Sequence, residues 1–153
     1  MKRRIAFALL MCLTGTVVAQ ETLEISLQSR KISSDSTEVT LQVGELGDSL
    51  TTSIWAFEFN VELDEQLSYL GVTSTTTLSA KEGWTTAANV ENKWAGGFSS
   101  STRAIEVGGT LVALYFGSKN VKKGGQVCLI GLRLNSGIPK PAPENVCIDV
   151  TKR

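Results

Sequence analysis

Through "IWAFEFNVEL", residues 54–63, an apolar side chain falls at every second place: Trp55, Phe57, Phe59, Val61 and Leu63. Ala56, Glu58, Asn60 and Glu62 stand between them. A period of two belongs to a strand with one face buried and one face wet. The same period recurs along the chain. "TLEISLQ" alternates Leu23, Ile25 and Leu27, and "TEVTLQV" alternates Val39, Leu41 and Val43. "LSYLGV", "GWTTAANV", "KWAGGF", "TLVALYFGSK", "QVCLIGLRL" and "NVCIDV" continue the series, and no long stretch keeps a helical period. About eight to ten short strands at such spacing imply an all-β sandwich or barrel. Trp55 through Leu63 then forms the inner row of a central strand, each side chain contributing about 1.5–3 kcal/mol on burial. The glycine pairs at 96–97, 108–109 and 124–125 read as turns. "GIPKPAPE" reads as a loop too rich in proline for a central strand.

The first residues stand apart. Lys2, Arg3 and Arg4 precede the apolar run "IAFALLMCLTGTVVA", and Val17 and Ala19 are the small residues before a cut. The expected organisation is a signal peptide over 1–19 and a single domain over 20–153. The run is shorter than the roughly 20 residues that a permanent span requires. The expected location is therefore secreted, periplasmic or cell-surface, with no membrane span in the mature protein. Lipoprotein processing at Cys12 would want a small residue before it, and Met11 stands there. Without the leader, Lys plus Arg falls from 15 to 12 against 15 Asp plus Glu, so the mature chain carries about −3. No basic run exceeds the pair Lys122-Lys123, which argues against a nucleic-acid partner.

Cys128 and Cys147 remain in the mature chain, and in an oxidising compartment an even pair is first a disulfide candidate. Closing that loop would stabilise the fold by about 3 kcal/mol in the chain-entropy model. Two buried free thiols are the alternative. The sequence has no histidine, so a zinc site and a Ser-His-Asp or Cys-His mechanism lack a necessary part. No phosphate-binding or dinucleotide fingerprint is present. Glu62 and Asp64 lie two apart on one strand, roughly 7 Å from each other, within range of glycosidase chemistry. Any solvated acidic face produces that spacing, and no loop supplies the six or more oxygens of a calcium site. The expectation is a non-enzyme without metal or cofactor.

Taken in order, these segments resemble cohesin modules. "AFEFNVELDEQLSYLGV" is similar to the family's third-strand region, with Leu63-Asp64 where an aromatic-Asp step usually stands and Leu67 at the following leucine. "GWTTAANV", "AIEVGGTLVALYFGSK", "GGQVCLIGLRLN" and "VCIDV" are similar to later segments of the module. The resemblance covers about residues 22–150. It implies a nine-stranded jelly-roll sandwich that binds a dockerin-like protein module without catalysis, in extracellular polysaccharide degradation. It also implies that Glu58 matches an outward acidic position that touches dockerin in some cohesins. Ala56 departs from the amide-bearing residue those cohesins carry two places earlier.

Three functions follow as expectations. In the first, Glu58, Asn60 and Glu62 form the outer face that meets a protein partner. In the second, a carbohydrate-binding module stacks Trp84, Trp94 and Tyr69 on a polysaccharide. In the third, the sandwich is a structural or adhesive extracellular domain.

Overall fold

A computed structural model describes residues 22–45, 53–73, 77–99, 103–106, 108–118, 124–137 and 139–150; the leader and Lys122-Lys123 lie outside them. The described chain runs β1 (Thr22–Lys31), β2 (Ser36–Val43), β3 (Ala56–Leu63), β4 (Leu67–Thr73), α1 (Leu78–Lys81), β5 (Thr85–Asn89), β6 (Trp94–Phe98), β7 (Gly109–Ser118), β8 (Gly125–Leu134), β9 (Lys140–Ala142) and β10 (Val146–Val150). Two five-stranded sheets result, ordered β4-β7-β2-β1-β9 and β10-β8-β3-β6-β5. Neighbouring strands pair antiparallel except β1 and β9, which run parallel from Thr22↔Lys140 to Glu24↔Ala142.

The fold is thus an all-β sandwich, and the alternation in the sequence builds it. Leu23 and Ile25 of β1, Val39, Leu41 and Val43 of β2, and Phe57, Phe59 and Val61 of β3 are all buried in one core. Phe57 stacks on Phe59 and on Trp84, with ring centroids 6.0 and 6.1 Å apart. β7 is buried almost continuously because it lies inside the first sheet with α1 against it. Thr77 caps α1, and the buried Ser79 donates its hydroxyl to the Leu111 carbonyl at 2.7 Å.

Four local expectations need correction. Among the described residues the strands number ten where nine were expected, because "GIPKPAPE" supplies the three-residue β9. Pro141 is tolerated there because β9 is an edge strand, where a missing N–H costs no ladder bond. Gly96-Gly97 is no turn but the middle of β6. A Cβ on Gly97 would stand 2.6 Å from the Phe57 ring, and one on Gly96 2.7 Å from the Trp94 ring. Both glycines serve close approach, one on each side of the sheet. Finally, Trp55 is 42 % exposed rather than buried, while Ile54 is fully buried. The alternation breaks because Asn135 grips the entry to β3. Its side-chain oxygen accepts from the Trp55 and Ala56 amides at 2.6 and 3.2 Å, and its amide group donates to the Ser53 carbonyl at 2.9 Å.

Candidate functional site

The outer face of the second sheet carries the exposed half of the opening pattern. Pairing places its side chains in rows. One row reads Ala56, Phe98, Thr85; the next reads Arg133, Glu58, Gly96, Ala87; the third reads Ile130, Asn60, Trp94, Asn89. Beyond them Glu62 stands beside Cys128, which faces Cys147 on β10. Those two cysteines form a disulfide.

Arg133 reaches this face through an irregularity in β8. Between Glu58↔Arg133 and Asn60↔Ile130, β8 holds one residue more than β3, and Gly131 takes a φ of +63°. A left-handed glycine at a bulge is the arrangement that re-aims the following side chains. Its amide is held by the Asn145 side-chain oxygen at 2.8 Å. The buried phase consequently shifts from Val127 and Leu129 to Leu132 and Leu134. Arg133, which an unbroken alternation would aim at the core, instead donates to Glu58 at 3.2 Å.

The floor of the face is apolar. The Trp94 ring lies along the sheet over Gly96, Phe98 is 54 % exposed, and Ala56, Glu58 and Ala87 join them in lining a shallow depression of about 290 Å³. Asn60 and Glu62 are exposed on the rim and make no side-chain hydrogen bond among the described residues. Asp64 lies past the end of β3, where its carboxylate accepts the Gln126 amide at 2.9 Å. It is thereby separated from Glu62 in role as well as in strand.

The residues expected to meet a protein, Glu58, Asn60 and Glu62, all lie on this face. The three aromatics expected to stack on sugar do not form a platform. Trp84 is 6 % exposed, packed on Phe57, and donates its indole N–H to the Arg103 carbonyl at 3.0 Å. Tyr69 is 4 % exposed and packed on Phe116. Its hydroxyl has no hydrogen-bond partner among the described residues, and burial pushes its pKa up to about 12. Both rings face inward because each stands in the buried phase of its segment. Only Trp94 of the three reaches the outer face. Phe98 and Arg133 escaped the sequence reading. The alternation of "KWAGGF" could have given Phe98, since Trp94, Gly96 and Phe98 share a phase; Arg133 is visible only once the bulge is known.

No family model and no curated protein matches this chain. Solved structures do. The chain is similar to a type I cohesin from Clostridium thermocellum, crystallised in the Coh-OlpA-Doc918 cohesin–dockerin complex, with 14% identity, TM-score 0.56, and coverage of 86% of this chain and 100% of that one. The fold is cohesin-like. A cohesin module of a family 33 glycoside hydrolase from Clostridium perfringens aligns at 16% identity and TM-score 0.56, over 84% of this chain and 98% of that one. A non-cellulosomal cohesin from the archaeon Archaeoglobus fulgidus aligns at 12% identity and TM-score 0.52, over 88% and 93%. Among the described residues, no helix is long and apolar enough to cross a membrane.

Proposed function

We propose that the chain is a secreted, non-catalytic binding module whose second-sheet outer face takes a dockerin-like protein module. One observation carries the reading: an open apolar floor of Trp94, Gly96 and Phe98, with Glu58, Arg133, Asn60 and Glu62 around it. Protein interfaces have this anatomy, an aromatic centre inside a polar rim. The likeness to cohesins solved with dockerins supports a protein partner. The proposed setting is extracellular polysaccharide degradation, with the module contacting the enzymes' partner domains rather than the polysaccharide.

Titration calorimetry of the purified mature chain against a panel of calcium-loaded dockerin modules tests this. Binding to at least one is expected, weakened by roughly tenfold or more in Phe98→Ala and in Glu58→Lys. Binding to none of the panel, or affinity untouched by both substitutions, would overturn the assignment. Retention on insoluble cellulose or chitin that Trp94→Ala abolishes would favour the carbohydrate reading instead.

A further inference from the structure

Among the described residues, two five-stranded sheets leave four edge strands, β4, β9, β10 and β5. An unguarded edge offers a row of free N–H and C=O groups to any other strand, so folded chains block edges with proline, charge or bulges. Three of these edges are blocked in that way. β9 is three residues long, with Pro141 at its centre and prolines before and after it. β4 is broken by an irregularity between Tyr69 and Gly71, where Gly71 has a φ of +118°. β10 presents Asp149 and the disulfide.

β5 has none of these devices. Its five residues, Thr-Thr-Ala-Ala-Asn, carry no charge and no proline, and pair with β6 in unbroken register from Thr85↔Phe98 to Asn89↔Trp94. Four of the five are exposed. Among the described residues, β5 makes no backbone hydrogen bond outside that ladder. Antiparallel geometry turns about half of its amides and carbonyls away from β6, and among the described residues these have no partner. Just beyond the strand, Val90 is 47 % exposed. It lies against β4, 4.0 Å from where a Cβ on Gly71 would stand, and the exposed Leu70 is the next residue on that strand.

We infer that β5 is a self-association edge, at which two copies of the chain pair β5 antiparallel across a two-fold axis. A two-fold axis brings identical strands together antiparallel. Centred on Ala87, it sets Thr85 opposite the second copy's Asn89 and Thr86 opposite its Ala88, so no charge meets itself. The second copy also covers Val90, an apolar side chain with no role in the monomer's core. Ala87 neighbours Gly96 on the outer face, so the pairing joins two outer faces into one ten-stranded surface with two apolar floors. The inference stands apart from the dockerin-like reading, because it concerns the chain alone in solution.

Sedimentation equilibrium of the mature chain without any partner, from micromolar to sub-millimolar concentration, tests it. The expected result is a mass that rises from one copy to two. Ala87→Lys and Ala87→Glu should each weaken association by roughly tenfold or more, because like charges then face each other across the axis. Mixing the two folded variants should restore the dimer. Should either variant fail to fold, Ala87→Cys replaces them, since facing residues in an antiparallel pair stand about 4.5–5.5 Å apart, within disulfide reach. Oxidation should then yield a covalent dimer. A wild-type chain that stays monomeric, a dimer indifferent to charge at position 87, a mixture that stays monomeric, or an oxidised Ala87→Cys chain without covalent dimer would each overturn the inference. A monomer that captures an added extended peptide at β5 would assign the edge to a foreign strand and overturn it equally.

Discussion

The two sheets are alike inside and unlike outside. The outer face of the first sheet satisfies itself. Glu38 takes two hydrogen bonds from Arg30, at 3.1 and 2.9 Å, and one from the Tyr115 hydroxyl at 3.1 Å. Gln42 donates to Thr40 and exchanges hydrogen bonds with Thr110 across the strands. The outer face of the second sheet leaves the Asn60 and Glu62 side chains without a hydrogen bond among the described residues, and two aromatic rings uncovered or half-covered. A polar group already paired within its own sheet gains little from a partner, whereas an open apolar floor gains by losing water. The difference says which face is built to be left alone and which to be met.

The hardest way to break the comparison is to show that the second face is really core. Phe57 and Phe98 sit on opposite sides of that sheet, at 3 % and 54 % exposure. Phe57→Ala is expected to cost about 3–5 kcal/mol in urea unfolding, and Phe98→Ala about 0.5 kcal/mol or less. Equal costs would mean that the Phe98 ring is held in a packed site, and the open floor would vanish from the account.

The two tyrosines sharpen the first sheet's side of the contrast. Burial raises the Tyr69 pKa from 10.0 to about 12. Tyr115 is raised as well, by burial and then by its hydrogen bond to Glu38 and that carboxylate's charge, with Arg30 opposing. Both shifts favour the protonated phenol in the folded state. Their stabilisation is therefore complete below the unfolded pKa, near pH 10, and is lost as pH climbs toward and through the folded values. For Tyr69 the loss amounts to about 3 kcal/mol once pH passes 12. Tyr69→Phe removes a buried hydroxyl that has no partner among the described residues, so stability at neutral pH should hold or rise, and most of the alkaline decline between pH 10 and 12 should disappear. An unchanged decline would locate the titrating group elsewhere.

Gly96 and Gly97 test the two sides of a single strand. A methyl on Gly97 meets the Phe57 ring at 2.6 Å and Thr86 at 3.2 Å, both inside the sandwich. Gly97→Ala should cost about 1–3 kcal/mol through overpacking. A methyl on Gly96 meets the half-buried Trp94 indole at 2.7 Å and the Phe57 carbonyl oxygen at 3.1 Å, on the solvent side of the sheet. Gly96→Ala should cost about 1 kcal/mol and shift tryptophan emission to the red. No red shift would mean that the indole is clamped to the sheet.

These residues also show what the sequence could and could not carry. Alternation declared the strands and their buried rows, because Phe57, Phe59 and Val61 have nowhere else to go than between two sheets. It placed Glu58, Asn60 and Glu62 outward by the same logic. It misplaced Trp55, since the phase there is set by Asn135, a residue 80 positions away whose side chain substitutes for a strand partner. It hid Arg133 behind the Gly131 bulge, where one extra residue reverses inside and outside. It offered Trp84 and Tyr69 as alternative stacking rings, although Tyr69 shares the buried phase of Leu67 in β4, because an aromatic side chain suits a core and a sugar platform equally well. Gly96-Gly97 read as a turn because a glycine needed for close approach and one needed for positive φ look the same on paper. What local periodicity sets was legible; what a distant side chain or a single inserted residue overrides was not.

The finest test compares one carboxylate on each face. Glu38 has a side chain only 12% accessible and accepts from two partners. Glu58 is 47% accessible and meets one arginine that is itself 61% accessible. An ion pair so open to water contributes about 0–1 kcal/mol, whereas hydrogen bonds to a shielded carboxylate contribute more. Glu38→Gln should therefore lower stability by about 1–2 kcal/mol, and Glu58→Gln by about 0.5 kcal/mol or less. For partner affinity the order should reverse, with Glu58→Gln weakening binding and Glu38→Gln leaving it untouched. If Glu58→Gln destabilises the chain as much as Glu38→Gln does, the Arg133 pair is a structural tie, and the second face has no polar rim held free for a partner.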